Sequence, residues 1–209
     1  MLRLAKELDS ATRYRLLIGS VVPRPVAWVS TLGNAGALNL APFSYFMGVG
    51  GDPPHLAVSA NAHRGGEKDT LRNIEETGEF VVNIADEELL DAMVLTSGDH
   101  AYGVDEFALA GLTPAPCAIV RPPRVREAPI AMECRLAQVV RLGAAPRWTA
   151  VIFGEVLAWH FEDGILNALG VPDMGLLRPV ARMIDDEYLL TRERRIVPRP
   201  KIEKGPPVV

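Results

Sequence analysis

Two adjacent runs in the middle of this chain restrict its fold more than any other feature. Between 132 and 142, Met132, Cys134, Leu136, Val140 and Leu142 fall on one face and Glu133, Arg135 and Arg141 on the other. A period of two is that of a half-buried strand, because successive side chains of a pleated backbone point to opposite sides. The next run, 148–161, is apolar on both faces, as a strand buried on two sides must be. Gly154 in its middle predicts a bend or bulge, the usual way a barrel turns a corner.

Shorter strand-like runs at 26–31, 37–40, 55–60 and 80–84 precede this pair. Gly33-Asn34, Gly36, Gly50-Gly51-Asp52 and Pro53-Pro54 read as the turns between them. Leu4, Leu8, Leu16 and Leu17 predict one or two short helices over 4–18. A helix is expected over 68–77, capped by Asp69 or Thr70 and stopped by Gly78, and a second over 87–96. Residues 97–129, with five prolines from Pro114 onward, read as a long irregular connection, and Pro198, Pro200, Pro206 and Pro207 mark an exposed tail. Strands interrupted by helices without regular βαβ alternation predict a mainly β chain with helices, built as a barrel. The 209 residues suit one domain, with a helical segment over about 1–20 and a proline-rich tail over about 198–209.

Composition removes several classes of function. A net charge of −4 without any basic tract argues against nucleic acid and anionic membrane as partners. The apolar run 16–28 is broken by Pro23, Arg24 and Pro25, so no membrane span is expected, and residues 1–10 lack the apolar core of a signal peptide. Cys117 and Cys134 stand in no ligand or redox spacing and read as reduced core residues of a cytoplasmic protein. His55, His63, His100 and His160 show no metal-binding spacing, so no metal is expected. His160 reads as a satisfied strand histidine. No GxGxxG follows a strand and no phosphate-binding P-loop is present, which excludes a Rossmann nucleotide site.

Chemistry concentrates between Pro23 and Thr70. Lys68-Asp69-Thr70 at a helix start offers free N–H groups, a lysine and a hydroxyl to a phosphate, and Arg64 lies four residues earlier. Asn39, Leu40, Ala41, Pro42, Phe43 and Ser44 form an irregular strand in which Pro42 removes one N–H, leaving backbone and amide groups to face a flat ring. Ser30 and Thr31, with Ser59 and Asn61, place hydroxyls and an amide at strand ends. A heteroaromatic ring with a phosphate at one end, a flavin, fits this set. No nucleophile–base pair competes with it.

The order of these segments resembles the flavin reductase-like family with the FMN-binding split-barrel fold, whose relatives include flavoredoxins and the flavin reductase components of two-component monooxygenases. The matching stretches are PRPVAWVST (23–31), NLAPFSYF (39–46), DPP (52–54), KDT (68–70), NIEETGEFVVN (73–83), DEFALAGLTP (105–114), GEV (154–156) and RPVAR (178–182). The resemblance implies a six-stranded, Greek-key split barrel that forms homodimers, with FMN near the subunit interface and NADH or NADPH as hydride donor. Hydride would pass from nicotinamide to flavin N5 with no catalytic side chain, and electrons onward to a partner monooxygenase or other acceptor. A flavoredoxin-like electron carrier without nicotinamide oxidation is the alternative. Carried over by position, Ser30, Thr31, Asn39 to Ser44, Ser59, Asn61 and Lys68 to Thr70 are flavin contacts, and Arg182 and Tyr188 lie on the nicotinamide side. Residues 183–187, MIDDE, depart from the family's glycines there, which removes freedom at positive φ and adds three carboxylates.

Overall fold

The computed structural model describes residues 1–61, 67–101, 103–144 and 147–200. After a 3-10 turn at Ala5–Glu7, the elements in order are α1 (Ser10–Ser20), β1 (Arg24–Pro25), β2 (Ala27–Leu32), β3 (Leu38–Phe43), β4 (Phe46–Gly51) and β5 (Pro54–Asn61). They continue with α2 (Asp69–Thr77), β6 (Glu79–Ile84), α3 (Leu90–Leu95), α4 (Glu106–Leu109), β7 (Pro114–Ala115) and β8 (Arg124–Val125). The last are β9 (Ile130–Ala144), β10 (Arg147–Phe161), α5 (Met174–Leu177), β11 (Val180–Arg182) and β12 (Tyr188–Leu190). Among the described residues no helix is long and apolar enough to cross a membrane.

Among the described residues the main sheet is antiparallel throughout and has seven strands, in the order β3-β2-β6-β9-β10-β5-β4, where six were expected. Its two end strands, β3 and β4, are not hydrogen-bonded to each other, so the barrel stays open along that side. The extra strand is β4, whose glycine-rich residues read as a turn. Its ladder with β5 runs through backbone groups, and these do not need the side chains on which strand propensity depends. A smaller antiparallel sheet runs β1-β11-β12, with β11 pairing to both of its neighbours.

β2 divides the molecule into two cores. Ala27 and Val29 point into the barrel with Leu56, Val58, Phe80, Cys134 and Ile152, and α2 closes this core with Leu71 and Ile74. Val26 and Trp28 point the other way, against Leu40, Met93, Phe107 and Val125. Each fully buried side chain of this size contributes roughly 1.5–3 kcal/mol. Residues 97–129 are therefore not simply irregular: α4 and the β7–β8 pair cover the second core.

A bulge corrects the expected alternation in β9. Leu136 pairs with Gly154 and Gln138 with Phe153, so Ala137 is an extra residue and the faces exchange beyond it. Val139 joins the barrel core instead of Val140, and Leu142 is exposed. Gly154 does mark this irregularity, and a Cβ there would overlap the Phe80 ring. Glu133, expected on a polar face, is fully buried.

Candidate functional site

The start of α2 opens onto a narrow cleft of about 100 Å3. Lys68 is the N-cap residue, and among the described residues its side chain makes no capping hydrogen bond. Asp69 and Thr70 lie inside the helix, which corrects their expected capping role, while Gly78 ends it in the left-handed conformation at φ 73°. The uncapped N–H groups of the first turn carry positive partial charge, so this end of α2 suits an anion. Lys68 Nζ lies 3.1 Å from Asp99 Oδ1, and Asp69 pairs with Arg72 at 3.6 Å. Asn39, Ala41, Pro42 and Phe43 of β3 form the opposite wall.

A buried polar network holds the two walls together. Asn39 Nδ2 donates to Thr31 Oγ1 at 3.0 Å and to Thr70 Oγ1 at 2.9 Å, and Asn73 Nδ2 also donates to Thr31 Oγ1. Thr70 Oγ1 accepts from Asn39 at the edge of the cleft, and a hydroxyl that accepts can also donate. Thr31 thus sets the site without lining it. Ser30 lies on the far side of the strand, where its Oγ donates to the Pro123 carbonyl at 2.6 Å and accepts from Asn83.

The sequence did not single out the floor of this cleft, which is formed by Thr96, Ser97, Gly98, Asp99, His100 and Glu106. Glu106 accepts the Leu40 N–H at 3.0 Å, so it fixes the backbone of β3 while facing the cleft. Burial pushes its carboxyl above the usual range, against the opposing hydrogen bond from Leu40. The Leu40 side chain itself is buried in the second core. The only signal for Glu106 was its place in the 105–114 stretch. The rest of the floor comes from a segment without periodicity.

At Pro42 and Ser97 the narrow cleft meets a wider one of about 650 Å3, within the range of roughly 300–1,000 Å3 common for small-molecule sites. Tyr14, Arg15, Arg24, Ser44, Arg182 and Tyr188 are among its walls. Arg24 is its anchor: the guanidinium donates to the carbonyls of Ile18, Val21 and Met183, tying the end of α1 to the turn before β12. Arg182 stacks over the Tyr188 ring at 4.5 Å. In the 183–187 turn Asp185 takes the left-handed position at φ 49°, so the conformation survives without glycine. Asp185 pairs with Arg15 at 2.6 Å and Asp186 lies 3.7 Å from Arg182, so arginines offset two of the three carboxylates.

Ser59 and Asn61, on β5, are separated from the α2 cleft. Ser59 borders grooves with Tyr45 and Val151, and Asn61 Oδ1 accepts from Thr149 Oγ1 at 2.7 Å beside Trp148 and Tyr14. Ser44 borders the Ser59 groove as well as the wide cleft, so it links the two halves. Arg64 lies outside the described residues.

Comparison with known proteins gives a consistent picture. Residues 18–174 match the model of the flavin reductase like domain. Nitrilotriacetate monooxygenase component B from Bacillus cereus is 35% identical, with a TM-score of 0.90 over 94% of this chain and 98% of that one. The 2-nitrobenzoate 2-nitroreductase NbaA of Pseudomonas fluorescens is 30% identical, with a TM-score of 0.88 over 98% and 99%. The flavoredoxin of Desulfovibrio vulgaris (Miyazaki F) is 25% identical, with a TM-score of 0.75 over 85% and 91%.

Proposed function

The chain belongs to the flavin reductase-like family, and from that premise we propose that it is an FMN-binding oxidoreductase, an NAD(P)H-dependent flavin reductase acting as a homodimer. The observation that carries this reading is the junction at Pro42 and Ser97, where an uncapped helix start with a lysine meets a cleft large enough for a ring system. The residues present fit a flavin mononucleotide. A phosphate matches the N–H groups of α2, the Lys68 ammonium and the Thr70 hydroxyl. A planar ring matches the wall 39–44, where Pro42 offers no N–H and the Asn39 side chain is tied to Thr31 and Thr70.

When bound, the isoalloxazine supplies the redox chemistry, accepting hydride at N5. The protein's part is binding and positioning. Lys68 would exchange Asp99 for the phosphate, and Glu106 keeps Leu40 and its neighbours in register against the ligand. On the other side of Pro42, Arg182 and Tyr188 would hold the nicotinamide donor, with Arg24 fixing the turn that carries them. No side-chain base is needed, so the rate depends on keeping donor and acceptor close, a proximity effect. Ser59 and Asn61 face grooves on the β4–β5 side, and there they would complete a site shared with a second copy. The electrons would pass to a partner monooxygenase or another small acceptor, nitroaromatic compounds among those worth assaying.

An absorption spectrum of the purified protein with FMN, before and after anaerobic NADH or NADPH, tests the reading. Bleaching of the flavin bands with loss of nicotinamide absorbance is expected. Tight flavin retention without oxidation of either nicotinamide would replace the reductase with a flavoredoxin-like carrier. No flavin binding would end both.

A further inference from the structure

Three residues far apart in sequence meet away from the flavin clefts: Cys117 from the loop after β7, Glu133 from β9 and His160 from β10. One ligating atom of each lies within 4.8 Å of the others. We propose that Cys117, Glu133 and His160 form a binding site for a borderline divalent metal ion of the zinc(II) class.

Glu133 is the centre of the site. It is fully buried, yet its carboxylate accepts three backbone N–H groups, those of Ala118 at 2.7 Å, Ile119 at 2.7 Å and Val120 at 2.9 Å. His160 Nε2 lies 2.6 Å from its Oε1. The carboxylate is therefore oriented before any ion arrives, as the hydrogen bonds behind metal ligands orient them. His160 is partly exposed and opens a route from solvent. A thiolate, an imidazole and a carboxylate together suit zinc(II), and three protein ligands leave a fourth position to water.

Little movement is required. Around zinc, ligand atoms stand roughly 3.3–3.8 Å apart, given metal–ligand distances near 2.0–2.3 Å. The His160–Glu133 contact would open slightly, and Cys117 Sγ, outside the main strands, would move inward. On binding, the thiol releases its proton to solvent as sulfur bonds the metal, and with a neutral His160 the ring hydrogen sits on Nδ1. The ion would tie the 117–120 segment to the β9–β10 pair. None of the three residues borders the clefts described above, so the site stands apart from the flavin reading.

The experiment uses untagged full-length protein, stripped with a chelator and titrated with cobalt(II). One equivalent should produce a near-ultraviolet thiolate-to-cobalt charge-transfer band that zinc(II) abolishes. Cys117→Ser should lose the band while keeping its far-ultraviolet circular dichroism, and His160→Gln should weaken cobalt binding by about tenfold or more. In the wild-type protein, where folding of variants is not a concern, zinc(II) should slow alkylation of Cys117, mapped by mass spectrometry, by a similar factor. No band together with no protection of Cys117 would overturn the proposal. So would a band that persists unchanged in Cys117→Ser, because the ion would then sit elsewhere.

Discussion

Lys68 is a half-exposed lysine whose partner, Asp99, is still more exposed, so their 3.1 Å pair adds little to stability and is easily exchanged. A phosphate at the start of α2 would take that partner's place. Lys68→Ala should therefore weaken FMN by about 10–100-fold, the range of a charged hydrogen bond, and riboflavin by less than about twofold. Equal loss for both ligands in a fluorescence titration would misplace the phosphate. Glu106 yields a pH signature. Its folded-state pKa is raised, chiefly by burial, so the folded protein binds the proton more readily than the unfolded chain. That contribution to stability is present at low pH and is lost as pH rises from the ordinary glutamate value of 4.5 through the raised one. Glu106→Gln can still accept the Leu40 N–H, and its denaturation midpoint relative to wild type should rise as pH increases over that window. A pH-independent difference would count against a strained carboxylate there.

At the scale of elements, the β9–β10 pair depends on its irregularities. Gly154 leaves room for the Phe80 ring at the point where the register slips, and Phe80 is fully buried in the barrel core. Gly154→Ala is an overpacking change that should cost about 1–3 kcal/mol, read from the urea midpoint. Repacking by a smaller neighbour, Phe80→Leu, should recover part of that loss in the double variant. Additive losses would show that the two residues do not compete for the same space. The bulge at Ala137 is less visible in sequence, because one inserted residue merely exchanges the faces and leaves a plausible alternation intact. Glu133 was misassigned to a polar face for a related reason. Periodicity reports which side a residue lies on, not whether another segment, here 117–120, covers that side.

At the scale of the whole molecule, the main sheet ends in an edge strand, β4, which pairs with β5 on one side and carries half-exposed Met47 and Val49, with Leu17 of α1 and Leu142 of β9 exposed as well. An apolar edge of this kind is normally covered in a stable protein. With Ser59 and Asn61 facing grooves on this side, a second copy is the proposed cover. Light scattering should give a dimeric mass, and Met47→Asp combined with Val49→Asp should shift it toward monomer and weaken FMN along with it. A wild-type monomer that binds FMN fully would separate the flavin site from any interface.

Most of the architecture was legible in the residues. The strand pair 132–161, the helix 68–77 with its Gly78 stop, and the lysine at its start all follow from spacing and local conformational preference, which act over a few neighbours. The proposed phosphate end rests on the same kind of local signal, since Lys68, Asp69 and Thr70 are adjacent at the start of α2. Only the tertiary structure could show that Ser30 faces a different core, that Glu106 and Asp99 form the cleft floor, or that Cys117, Glu133 and His160 converge. Those outcomes depend on where non-local segments cross the sheet and on a one-residue bulge. The packing of the complete chain fixes these, and no local pattern encodes them.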